Sequence, residues 1–353
     1  MTATRRTTRR SFLTTAGGTA AAAGASAIAA PAVHAQSKIR WRMQTYAGKA
    51  LAEYVIKPAI EDFNRVAAGE MEIELFTADE IVPTNELFNA MQRGEIDAVQ
   101  SDDDSMASPT EVAVFGGYFP FACRYSLDVP VLFGQWGLGE IWDAEYAKVG
   151  VKWLSAGAWD PCHFATKTPI RSLADLDGKR VFTFPTAGRF LSRFGVVPVT
   201  LPWDAVPAAV RDGRLDGIAW SGITEDYTVG WADVTDYFLT NSISGAWCGS
   251  FFANMKRYNE LPDRLKTLLK LAMDSSHYYR QHWYWGGEAK LRTEGTRMTL
   301  TTIPDAEWAQ VEEAAHDFWH EIGDQSPVKA KVVAILEAYK RSMEKAGRPY
   351  RYS

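Results

Sequence analysis

Apolar and polar positions alternate along Ile39-Arg40-Trp41-Arg42-Met43-Gln44-Thr45, the period of two that marks a half-buried strand. Gln44, Thr45 and Tyr46 lead from it into a stretch where Ile56, Ile60 and Phe63 recur at helical spacing. Glu72 to Phe76 alternates again, and Pro83-Thr84-Asn85-Glu86 opens a second helix, since proline suits a first turn. This order of strand, helix, strand and helix predicts an α/β chain with a mostly parallel sheet.

One pattern occurs twice. Ala90-Met91-Gln92-Arg93-Gly94-Glu95-Ile96-Asp97-Ala98-Val99 and Ala209-Val210-Arg211-Asp212-Gly213-Arg214-Leu215-Asp216-Gly217-Ile218 agree in type at each position: small, apolar, two polar, Gly, charged, apolar, Asp, small, apolar. Each reads as a helix end, a glycine stop that tolerates the left-handed conformation, and a short buried strand. The first copy exits at Gln100-Ser101-Asp102-Asp103-Asp104-Ser105, the second at Trp220-Ser221-Gly222. Ligands collect where α/β strands end, so these exits are candidate contacts across a cleft between two lobes, Trp220 reading equally as a buried sheet cap.

The rest of the pattern fills in around the copies. Phe115 to Phe133 is dense in aromatics without a period and reads as a packed connection. A strand from Val151 to Leu154 opens the second half, and Ile170 to Phe182 gives a short helix, a turn and a strand. Phe184 to Arg189 feeds a helix that runs to Phe194, and a strand from Pro198 to Leu201 leads into the second copy. Leu239 to Phe252 reads as one apolar strand with Trp247 embedded. From Pro262 onward the chain is helical, with Leu265, Leu268 and Leu269 on one face and Trp308, Val311, Ala315, Phe318 and Ile322 on another. The expected divisions are therefore an export segment at 1–35, a first lobe at 36–150, a second at 151–250 and C-terminal helices at 251–353.

Composition changes this picture mainly at the N-terminus. Thr8-Arg9-Arg10-Ser11-Phe12-Leu13 precedes an uncharged Ala/Gly/Thr-rich run with small residues near Ala35, an export signal of the twin-arginine type. Losing its four arginines takes the formal charge from −5 to −9. So acidic a chain argues against nucleic acid as a partner. Cys123, Cys162 and Cys248 fall in no metal-ligand spacing and are expected as buried thiols.

Candidate chemistry is sparse. No G-x-S-x-G elbow, Walker loop or G-x-G-x-x-G follows a first strand. Thr186-Ala187-Gly188-Arg189 places an arginine and backbone N–H groups at a helix start, which suits an anion, or else a solvated Arg189. Asp102-Asp103-Asp104 offers hard-cation ligands without calcium-loop spacing, and reads alternatively as a polar loop. Asp160 near His163 is an acid-base pair on one loop and, with the twin-arginine signal, the only hint of an exported enzyme acting on a small organic acid. The aromatic run from Tyr278 to Trp285 reads as core or as a subunit interface, a homodimer through the C-terminal helices.

In this order the features resemble the periplasmic solute-binding proteins of tripartite ATP-independent periplasmic (TRAP) transporters, the DctP-like group. The matching marks are Pro169-Ile170, then Asp175-Leu176-Asp177-Gly178-Lys179-Arg180-Val181, then Leu191 to Gly195, then Val210 to Gly217 with the exit at Trp220. The resemblance implies a two-lobed periplasmic-binding-protein fold, a periplasmic location, capture without catalysis of a small organic anion such as a carboxylate, and delivery to TRAP membrane permease subunits. Two departures stand out. Phe182 occupies the position where the family usually carries a carboxylate-clamping arginine, and Ala219-Trp220 stands where the family's keto-acid-binding branch has a Glu-Trp pair whose Glu helps hold a metal. No cofactor is therefore expected, although a divalent or sodium ion stays open, and the clamp passes to Arg189 or Arg180. The expected ligand contacts from the first lobe are Gln44, Tyr46 and Asp103. From the second they are Trp159, Asp160, His163, Arg180, Phe184, Arg189, Trp220, Glu225 and Trp247.

Overall fold

The structure, a computed structural model, describes residues 38–295 and 297–347; the predicted export segment lies outside them. Its first sheet contains β1 (Ile39–Thr45), β2 (Met71–Phe76), β3 (Ala98–Ser101), β4 (Val151–Ala158) and, from much later in the chain, β10 (Cys248–Asn254). The second contains β5 (Cys162–Thr166), β6 (Arg180–Thr183), β7 (Val197–Val199), β8 (Gly217–Ala219), β9 (Tyr237–Ser244) and β11 (Thr299–Thr301). Spatial order is β2-β1-β3-β10-β4 in one and β11-β9-β5-β8-β6-β7 in the other. Every antiparallel pairing involves β10 or β5, so each sheet is parallel but for one reversed strand.

Those reversed strands mark where the chain changes sheets. It leaves the first sheet after β4 through Trp159, Asp160 and Pro161, and returns after β9 through Gly245, Ala246 and Trp247. The two crossings are tied where Trp159 N–H donates to the Trp247 carbonyl at 3.1 Å. The expected boundaries at 150 and 250 are corrected by this path. Val151 to Leu154 belongs to the first sheet, and the expected strand from Leu239 to Phe252 is two strands in different sheets, broken at Trp247. Alternation reports which faces are buried, and says nothing of which sheet supplies the neighbouring strand.

The long helix Asp263–Glu294 spans both halves. Its buried positions Leu265, Leu269, Met273, Ser276, Arg280 and Tyr284 follow one another at three- and four-residue spacing, a single stripe. That stripe packs on the helices Lys49–Val55 and Lys57–Val66 and on β4 on the first side, and on the helix Ile223–Thr228 on the second. Helices Asp305–Gly323 and Pro327–Ala346 complete the C-terminal region, the first burying Trp308, Val311, Ala315, Phe318 and Ile322. All three cysteines are free and buried. Among the described residues no helix is long and apolar enough to cross a membrane.

Candidate functional site

The duplicated unit is built the same way in both sheets. Gly94 and Gly213 take positive φ of 77° and 69° and end their helices, and the following N–H groups of Glu95 and Arg214 return to the Ala90 and Ala209 carbonyls. Asp97 then accepts from the Arg42 N–H of β1 at 2.8 Å, as Asp216 accepts from the Arg180 N–H of β6 at 2.9 Å. The same two arginine carbonyls accept from the Asp97 and Asp216 N–H groups. The match extends to the neighbouring strands. Thr45 faces Gln100 as Thr183 faces Ala219, so Tyr46 and Phe184 occupy equivalent places one residue beyond their strands.

Around these strand ends six aromatic rings close a circle. Trp159 meets Tyr46 at 5.6 Å, Tyr46 meets Trp203 at 5.8 Å, and Trp203 meets Trp220 at 5.4 Å. Trp220 stacks on Phe184 at 3.7 Å, Phe184 meets Trp247 at 5.7 Å, and Trp247 stacks on Trp159 at 4.6 Å. All but Trp203 lie one residue outside a strand, and both sheets contribute. Room for the Trp159–Trp247 stack comes from a facing pair of glycines, Gly157 in β4 and Gly249 in β10. A Cβ at Gly249 would collide with both indoles, and one at Gly157 would collide with the Arg280 guanidinium.

Carboxylates gather at this circle. Burial pushes the Tyr46 phenol well above its ordinary range, and Glu225, Asp160 and Asp102 push it further, which places three acids within its electrostatic reach. Asp160 accepts from the Tyr118 hydroxyl and Trp247 Nε1 at 3.1 Å each and from the Gly222 N–H at 2.6 Å. Glu225 Oε2 accepts from the Tyr284 hydroxyl at 2.7 Å, and its Oε1 has no partner. Asp102 accepts from the Ser105 N–H through one oxygen, and its Oδ2 has no partner either. Asp102, Asp160 and Glu225 are at most 1% exposed. Burial raises the carboxyls of Glu225 and Asp160 well above the usual carboxylate range and that of Asp102 to about 6. Against them stands Arg280, whose own pKa burial lowers to about 10. Its Nε donates to the Ala158 carbonyl and its Nη1 to Ser276 Oγ, its plane lies 4.6 Å from the Trp159 ring, and Nη2 has no partner. Also without partners are the Tyr46 hydroxyl and the indole N–H groups of Trp159 and Trp220.

Of the residues expected from sequence, the structure brings together Tyr46, Trp159, Asp160, Phe184, Trp220, Glu225 and Trp247. Five lie elsewhere. Arg189 pairs with exposed Glu321 at 3.5 Å and lies over the Phe318 ring, because its helix turns that face toward Asp305–Gly323. Arg180 is spent on Asp216 and the Gly213 carbonyl. Gln44 clamps the backbone of Ile81 and Val82, and Asp103 turns away to accept from Trp142 Nε1 at 2.7 Å. His163 forms no pair with Asp160: its Nδ1 bonds the Leu239 carbonyl at 2.9 Å and its Nε2 faces Arg292 at 3.0 Å. Burial first and Arg292 second lower its pKa to about 3, so it is a neutral ring accepting from arginine. Tyr118, Trp203, Arg280 and Tyr284 are site residues the sequence does not single out, and Asp102 is legible there only as part of the first exit and as a candidate cation ligand. The shared Arg-apolar-x-Thr-aromatic pattern of Arg42 to Tyr46 and Arg180 to Phe184 was the available signal that these strands match. Among the described residues no group of three His, Cys, Asp or Glu side chains is arranged to hold a metal ion.

Residues 52–326 match the family described as bacterial extracellular solute-binding protein, family 7, DctP. A TRAP periplasmic solute-binding protein from Chromohalobacter salexigens, solved with (S)-(+)-2-amino-1-propanol bound, is 72% identical with a TM-score of 0.88 over 90% of this chain and 100% of its own. A monocarboxylate 2-oxoacid-binding periplasmic protein from Nostoc sp. is 26% identical over 275 residues, 74% of this chain and 73% of its own. A TRAP solute-binding protein from Pseudoalteromonas atlantica with bound sodium and pyruvate is 19% identical with a TM-score of 0.79, over 87% of this chain and 95% of its own, a likeness of fold.

Proposed function

Since the chain belongs to the DctP family of bacterial extracellular solute-binding proteins, we propose that it captures a small organic solute carrying a protonated amine, an amino alcohol being the model compound. The family and the 72% identical relative are solute-binding proteins of transport, not enzymes. Twin-arginine export, a periplasmic location, delivery to TRAP membrane permease subunits and a homodimer through the C-terminal helices complete the proposal.

The observation that carries the ligand reading is the buried carboxylate of Glu225, with an oxygen left unpartnered beside a closed circle of aromatic rings. Asp102 and Asp160 add two more acids within reach of Tyr46. Aromatic faces attract cations, and a cation also offsets buried carboxylates whose charge burial otherwise opposes. The 72% identical relative was solved with an amino alcohol bound, which supports the same chemistry here. A small organic anion, the expectation from the family resemblance, is the second reading. It is favoured by the unpartnered Nη2 of Arg280, a buried guanidinium beside the circle. Thermal melting with a panel of amines, amino alcohols, 2-oxo acids and dicarboxylates tests the two. The cationic reading expects the amines to raise the midpoint and the acids to leave it in place; the reverse pattern rejects it.

A further inference from the structure

We propose that Glu225 makes this site selective for ammonium groups that carry N–H bonds, primary amines above all, over quaternary ammonium ions of the same charge. The inference rests on the cationic reading of the site and deepens it.

The aromatic circle cannot make that distinction. A ring face attracts a cation through its quadrupole whether or not the cation has protons to donate, and quaternary ions bind such faces well. Asp160 cannot make it either. Each of its oxygens already accepts a hydrogen bond, from Tyr118 and Trp247 on one side and Gly222 on the other, so it contributes charge more than an open acceptor.

Glu225 differs. Tyr284, carried on the long helix, fixes the carboxylate through Oε2 at 2.7 Å and leaves Oε1 with no donor in a residue that is 0% exposed. A buried carboxylate oxygen without a donor is costly; in the empty site the raised pKa offsets that cost by holding a proton, and a ligand that brings an N–H or O–H offsets it for the charged carboxylate. A primary ammonium brings three donors and a quaternary one brings none, while its methyl groups hold the charge farther from the oxygen. Charge-assisted hydrogen bonds of this kind correspond to a selectivity on the order of ten- to a hundredfold.

The test is calorimetric titration of the parent protein and of Glu225→Gln with 2-aminoethanol, its N,N,N-trimethyl derivative and pyruvate, with thermal melts confirming that the variant folds. The expected result is that the parent binds 2-aminoethanol at least about tenfold more tightly than the trimethyl compound, and that the ratio falls toward one in Glu225→Gln. Equal or tighter binding of the trimethyl compound by the parent overturns the selectivity and leaves the cationic reading intact. A ratio preserved in the variant overturns the assignment to Glu225. Binding of pyruvate alone overturns the cationic reading, and this inference with it.

Discussion

The two copies of the helix-to-strand unit are built alike as far as Asp97 and Asp216 and diverge where their strands end. Up to that point each has a left-handed glycine, an aspartate tying the neighbouring strand's arginine N–H, and a backbone bond in return. Beyond it the first copy delivers acids, Asp102 to Asp104, and the second an indole, a hydroxyl and a helix that presents Glu225. Asp102 is buried with one oxygen unpartnered, which a folding unit alone has no reason to accept. The two units thus share the part that folds and differ where the aromatic circle and its acids are built.

The comparison makes straps responsible for stability and exits for binding, and substitutions in each should separate the two. The largest effect is expected from Gly249→Ala, whose Cβ would displace both Trp159 and Trp247. Overpacking of this sort costs about 3 kcal/mol, and ligand binding should disappear with it; chemical denaturation and titration of the same preparation measure both. An alanine tolerated in both assays would mean that the glycine pair does not shape the aromatic circle.

Next in size are Asp97→Ala and Asp216→Ala. Each removes a bond to a strand N–H and an arginine partner, Arg257 at 2.7 Å for Asp97 and Arg180 at 2.9 Å for Asp216. A loss of about 2 kcal/mol apiece in urea unfolding is expected, with affinity for the amino alcohol unchanged within about twofold. Weakened binding at full stability would break the division between straps and exits.

A smaller, pH-dependent effect belongs to the first exit. Asp104 accepts from the Thr186 N–H at 2.8 Å and hydroxyl at 2.9 Å, a contact between the two halves, and burial raises its pKa from 3.8 to about 7. The folded state therefore holds this proton more tightly than the unfolded state does, so its contribution to stability is full below about pH 4 and is lost as pH rises toward 7. Asp104→Asn should flatten that decline by on the order of 1 kcal/mol per pH unit, read from unfolding at pH 5, 6 and 7. Parallel pH curves for variant and parent would remove Asp104 from the account. The smallest effect is expected of Arg189→Lys, where an exposed ion pair to Glu321 is replaced by a similar one. Stability should change by less than about 0.5 kcal/mol and affinity not at all; a tenfold loss on titration would return Arg189 to the site.

The same division sets what was legible in the sequence. The duplicated unit could be read because glycine stops and strand-capping aspartates are local chemistry, repeated at fixed spacing. Trp220 and Trp159 could be proposed because they stand beyond apolar strands, whereas Trp247 reads as embedded in one strand and only the structure puts it at a strand end. Arg189 and Arg180 could not be placed, since a guanidinium at a helix start or strand start looks the same whether it faces a cleft or an acid on the surface. Here Glu321 and Asp216, distant in sequence, decide it. Arg280 and Tyr284 were hidden for a related reason. They sit in an aromatic, polar stretch of the long helix, and only the packing of that helix across both sheets turns them inward. The acid excess of the site was equally out of view, because Asp102, Asp160 and Glu225 come from three separate segments and meet only at Tyr46.

The central claim, that acids and aromatic rings here hold a protonated amine, is tested most directly by calorimetric titration of the parent protein at neutral pH with 2-amino-1-propanol and with pyruvate. The account predicts saturable binding of the amino alcohol at one site per chain and no heat from pyruvate. Saturable binding of pyruvate, with the amino alcohol silent, would contradict it.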